Sequence, residues 1–161
     1  MLSSRLRRHM VPLLLLGVVS TFTGCGSDAP PAGVVELRDL ERAELLWKQR
    51  GFRNYRMVAA KECFCLREMV QPALVTVHGS TIVDVRRVDG TPIEPQFWSS
   101  RVVVDSLFPR IRDALRSDFY ERVELSFDSR LGFPTRAAFY APSRIADGDV
   151  VYVISGITPL D

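Results

Sequence analysis

The chain has 161 residues, 47% of them hydrophobic and 25% charged, with 21 Lys+Arg against 19 Asp+Glu. Three of the basic residues, Arg5, Arg7 and Arg8, sit at the extreme N-terminus; without them 18 basic residues face 19 acidic ones, a net of −1. A body so close to neutral lacks the electrostatic footprint of a nucleic-acid binder. Arg50, Arg53 and Arg56 form no block that would override this and read as a solvated face.

The N-terminal segment has the form of a secretory signal: a basic start, an apolar run over residues 11–19, and small residues leading to Gly24-Cys25. A cysteine directly after a small residue resembles the signal of a bacterial lipoprotein, with Phe22 standing where such motifs usually carry an aliphatic residue. That resemblance implies a signal peptide over 1–24, lipid on Cys25 and a mature chain beginning there. An ordinary signal peptide with a chance cysteine is the alternative. The apolar run is shorter than the roughly 20 residues a bilayer-spanning helix needs, so no permanent span is expected. The protein is therefore expected to be exported and attached to the cell membrane or outer membrane through Cys25. Residues 26–33, rich in Pro, Gly and Ala, read as a tether. Residues 34–161, roughly 130 in number, suffice for one core and one domain.

Residues 34–49 carry Leu37, Leu40, Ala43 and Trp47 at helical spacing, with charged residues between them, and Gly51 supplies a stop. Residues 55–66 read as a strand with Tyr55, Met57 and Ala59 on one face. Residues 73–78 and 81–88 form a hairpin around Gly79-Ser80. Simple pairing there puts Val75 opposite Asp84, so a bulge near Ile82-Val83 is expected. Residues 89–100 are a loop in which Phe97 and Trp98 fold back on apolar surface. A second helix is expected over 103–117; Pro109 is tolerated only in a first turn, which moves the regular start to Ser106. Strands follow at 121–128, 135–141 and 150–157, the last after the turn signal Asp147-Gly148-Asp149. The order helix, three strands, helix, three strands predicts an α+β fold: a mainly antiparallel sheet with both helices on one face.

Several of these features occur together in a fixed order. Trp47 ends the first helix, Asn54-Tyr55-Arg56 opens the first strand, and Cys63-Phe64-Cys65 follows. Val104-Asp105-Ser106-Leu107-Phe108 opens the second helix, and Asp128 precedes Leu131-Gly132-Phe133-Pro134. Over about residues 36–157 this resembles a bacterial secreted and lipoprotein family catalogued as domain of unknown function 6174. The resemblance implies fold and export and brings no activity with it.

Chemistry-bearing residues are few. With Cys25 lipidated, Cys63 and Cys65 are the remaining cysteines of an exported chain, and an even count in an oxidising compartment points to a disulfide. Two residues apart on a strand they share a face, but a flat strand does not give disulfide geometry, so a bulge or strand end is required. A redox-active pair, a thiolate site for a soft ion such as Cu(I), and free buried thiols are the other readings. A metal site would draw on Cys63, Cys65 and His78, with Met69 as a further soft ligand. His78 beside a hairpin turn is otherwise a solvent-exposed turn residue. No nucleophile elbow, zinc helix or phosphate-cradling glycine loop is present, so no catalytic residue and no cofactor are assigned. Trp47, Tyr55, Phe108 and Phe127 read as core. Two functions remain in view: a non-enzymatic, envelope-anchored binding or inhibitory module with a protein partner, and a thiol-redox or copper-handling lipoprotein built on Cys63 and Cys65. A hydrolase would need an untypical site.

Overall fold

A computed structural model describes residues 32–160. The expected signal peptide, Cys25 and residues 26–31 of the tether lie outside the described residues. The fold is α+β: a single open sheet of six antiparallel strands packed with helices.

Helix α1 spans Ala32–Arg50 and so takes in the last two residues of the expected tether. Its apolar stripe buries Leu40, Ala43 and Trp47. Gly51, in the left-handed conformation at φ 67°, turns the chain into β1, Asn54–Glu62. A one-turn helix α2, Arg67–Val70, leads to β2, Ala73–His78, and β3, Thr81–Arg87. The β2–β3 register slips between Thr76 and Val77, which pair with Asp84 and Ile82 and leave Val83 as the extra residue. That is the bulge the pattern demanded: it sets Val75 opposite Val85, both fully buried.

The loop that follows folds into a 3-10 helix, Pro95–Ser100, which packs Phe97 and Trp98 against the core. Helix α3 is Val104–Arg116, and strands β4 Arg122–Phe127, β5 Pro134–Tyr140 and β6 Val150–Pro159 complete the chain. The helix starts two residues before the expected Ser106, so Pro109 falls in its second turn. There it removes one i→i−4 bond. Contacts from outside hold the helix start: the Tyr55 hydroxyl accepts from the Val104 N–H at 3.1 Å, and the Trp47 indole donates to Asp105 Oδ1 at 3.1 Å. No side chain of the preceding residues caps this end, so Tyr55 supplies what the sequence omits.

The strand order is β3-β2-β1-β6-β5-β4, with the two meanders joined along β1 and β6. One core takes α1 (Leu40, Trp47), α3 (Leu107, Phe108, Ile111) and one set of strand side chains, including Tyr55, Met57, Val75 and Ile154. The register puts the connections 63–72, 88–103, 117–121 and 141–149 at one end of the sheet, and the turns at 51–53, 79–80 and 128–133 at the other.

Candidate functional site

The expected strand through residue 66 stops at Glu62. The cause is the cysteine pair. Cα atoms two apart on a strand are about 6.6 Å apart at the usual rise; Cys63 and Cys65 are drawn to 5.3 Å, with their sulfurs at bonding distance, 2.05 Å. The Cys65 N–H donates to the Cys63 carbonyl at 2.9 Å, closing a tight turn. Phe64 at its apex is 85% exposed and Leu66 beside it 62% exposed.

The connection behind this tip is fixed from below. Arg101 is buried, and its guanidinium donates to the carbonyls of Gln71 at 2.7 Å, Glu68 at 2.8 Å and, more distantly, Ala59 at 3.4 Å. No carboxylate among the described residues pairs with it, and burial pushes its pKa down from the ordinary arginine value. Backbone carbonyls thus hold the charge, and in return the charge pins residues 68–71 to the end of β1.

Phe64 stands between two shallow grooves. One, of about 530 Å³, is lined by Glu62, Phe64, Arg136, Tyr140, Pro142 and Val151; the other, of about 550 Å³, by Phe64, Cys65, Leu66 and Met69. The first runs onto the sheet face opposite Tyr55 and Met57. That face has a low apolar middle, Val58, Leu74, Ala138 and Val153, between charged strips at its edges. Asp84 pairs with Arg86 at 2.8 Å on β3, and Arg122 with Glu124 on β4. Arg136 faces Glu62 at 3.9 Å between them.

His78 lies elsewhere. It is exposed and pairs with Asn54, the first residue of β1, whereas Cys63 follows the last. About eight strand residues, or roughly 26 Å, separate the two ends. The set Cys63, Cys65 and His78 is therefore not brought together. Met69 does reach the groove beside Cys65. Among the described residues, no group of three or more His, Cys, Asp or Glu side chains could hold a metal ion. No described helix is long and apolar enough to cross a membrane.

The model of a family of unknown function, DUF6174, matches residues 39–159. The chain belongs to this family. Neither a curated protein nor a solved structure matches it. In this DUF6174 member the matched stretch contains every strand and the Cys63–Cys65 turn. What the sequence missed was the exposure of Phe64 and Leu66. Both fell inside the expected strand 55–66, and the only local hint was the cysteine on either side of Phe64.

Proposed function

We propose that this protein is an exported lipoprotein, tethered through lipid on Cys25, whose domain is a non-enzymatic module that binds a protein partner in the cell envelope. The observation that carries the reading is Phe64, 85% exposed at the apex of a turn closed by Cys63 and Cys65. An aromatic side chain held on a short covalent ring loses little freedom on docking, and such anchors dominate protein interfaces. Burying it in a partner is worth about 1.5–3 kcal/mol. Both long helices lie on one face of the sheet in this reading, so the opposite face continues the contact surface from Phe64. Its mixed charges suit a protein surface carrying both signs. The oxidised Cys63–Cys65 pair serves structure, holding the apex out.

The test is site-specific photocrosslinking in the native envelope, with a benzophenone side chain at position 64 and, as control, at exposed Arg38 on α1. A discrete adduct from position 64, absent at 38, supports the module. Its absence, with the protein correctly localised, overturns it. Phe64→Ser should weaken partner binding about 10- to 100-fold while leaving the fold intact. The anchor is tested by intact mass: a lipidated chain beginning at Cys25 is expected, and soluble protein lacking residues 1–25 refutes it.

A second reading is favoured by Met69 lining the groove next to Cys65: thiol-redox or copper handling. A reduction potential below about −300 mV marks an inert bridge and removes this reading. Stoichiometric Cu(I) on the reduced protein would move the function to it.

A further inference from the structure

On the helix side of the sheet, a groove of about 680 Å³ opens between α3 and the ends of β1, β5 and β6. Two cations project into it. Lys61 Nζ sits 5.8 Å from the centroid of the Tyr152 ring and Arg110 Cζ 5.2 Å from the same centroid. Arg110 also donates one N–H to the Tyr152 hydroxyl, which fixes the guanidinium against the groove wall. Register explains the meeting: Lys61 pairs with Tyr152 across β1 and β6, and α3 lays Arg110 over the pair.

Neither cation has an ion-pair partner among the described residues. Asp113 lines the same groove yet pairs with neither, so its charge offsets one of the two and leaves an excess of one positive charge. Burial holds the Lys61 ammonium below the usual lysine range, and the neighbouring Arg110 pushes the same way. The Tyr152 ring attracts both cations while the two repel each other, so an anion placed between them would relieve the repulsion. Their donors are also mostly unspent. An ammonium has three N–H groups and a guanidinium five, of which Tyr152 takes one from Arg110. Beside them Pro109, Ala114, Phe139 and Val150 give the groove an apolar flank, and Ser106, Ser117 and Tyr120 complete its lining.

We infer that this groove is a binding site for a small organic anion, a carboxylate or phosphate on an aromatic or short aliphatic body. The anionic oxygens take the free N–H groups of Lys61 and Arg110, and the body lies against Phe139 and Val150. Charge-assisted hydrogen bonds of this kind are the strong ones, and the apolar flank discriminates against bare inorganic anions. The site is independent of Phe64: Lys61 points to the helix side of the sheet end from which the disulfide turn projects on the other.

The test is titration of the full chain, held in detergent, with benzoate, phenyl phosphate and benzyl alcohol, read by amide chemical shifts of residues 61, 110, 150 and 152. Saturable shifts at these positions with benzoate or phenyl phosphate, and tighter binding of either than of benzyl alcohol, are expected. The stronger of the two anions names the head group. Lys61→Gln and Arg110→Gln should each weaken binding by about tenfold or more, whereas Lys61→Arg and Arg110→Lys keep the charge and retain it. The charge-keeping pair decides the matter should a Gln variant not fold. No saturable shift with either anion, equal binding of benzyl alcohol, or folded Gln variants with unchanged affinity would overturn the assignment.

Discussion

Tyr55→Phe isolates one atom of this fold. The Tyr55 ring is fully buried and stacks edge-on with Trp47 at 5.4 Å, and phenylalanine keeps that packing. Only the hydroxyl is lost, and with it the acceptor for the Val104 N–H at the start of α3. The fully buried Val104 amide is then left without a partner. A missing helix cap costs about 0.5–2 kcal/mol and an unsatisfied buried donor about 1–3. We expect a loss of about 1–2 kcal/mol, measured by urea unfolding at constant m-value, and a fall in Tm of about 3–8 °C for a domain of this size. A change below about 0.3 kcal/mol would refute the capping role. A loss above about 4 would mean that the ring itself repacks, since that is the scale of a core cavity. The same substitution has a pH signature. Burial, above all, raises the Tyr55 pKa well beyond its usual 10.0, and nearby Asp105 adds to this. The unfolded chain therefore releases this proton first. The contribution is present in full below pH 10.0 and is lost as pH rises from there toward the folded value. Wild-type stability should fall more steeply above pH 10 than that of Tyr55→Phe; parallel curves would contradict the burial of a neutral phenol.

Trp47→Ala should cost about 3–5 kcal/mol, because it empties a core position and removes the indole bond to Asp105; thermal unfolding checks this, and an unchanged Tm would place Trp47 outside the core. Gly132→Ala should cost about 3 kcal/mol or more. Its added Cβ would run into the Ala43 carbonyl and lie 2.8 Å from the Trp47 nitrogen, at a backbone φ of 84°; an expression level and Tm equal to wild type would refute the close approach. Glu44 is partly buried, which taken alone would raise its pKa, but Lys48 and Arg112 outweigh this and lower it. Its contribution is present above the unfolded value of 4.5 and is lost as pH falls through the folded one. Glu44→Gln should therefore destabilise at pH 7 and flatten the acid limb of stability, as followed by circular dichroism; an acid limb identical to wild type would remove the α1–α3 ion pair from the account.

Where burial and period agreed, the sequence was readable. Leu40, Ala43 and Trp47 announce one face of α1, and the misfit of Val75 against Asp84 announces the bulge at Val83. Both inferences are local, since one face must be apolar and a one-residue shift exposes it. The errors share a different cause. Residues 55–66 read as one strand, yet the strand ends at Glu62 because a covalent bond between cysteines two residues apart overrides the pleat. Pro109 argued for a later start to α3, yet Tyr55 and Trp47, from about 50 residues away, stabilise the earlier one. Arg101 gave no signal at all. Its meaning depends on three carbonyls that only the folded chain presents.

The two candidate surfaces illustrate the same limit from the side of function. The cysteine pair was legible by counting, but its consequence, an aromatic side chain held in solvent, was not, because Phe64 fell inside the expected strand. Lys61 and Arg110 are 49 positions apart and each reads as a solvated charge; β-register and a helix crossing turn them into a pair. Both surfaces depend on the end of β1. Alternation sends Lys61 to one side of the sheet and Glu62 to the other, and the disulfide turn begins immediately after. Residues 60–62 pair with β6 alone, since the pairing of β1 with β2 stops at Ala59, and on that open side the Arg101 guanidinium holds the carbonyls of Glu68 and Gln71. The position of Phe64 and the meeting of Lys61 with Tyr152 are thus both set by where β1 ends and by its register with β6.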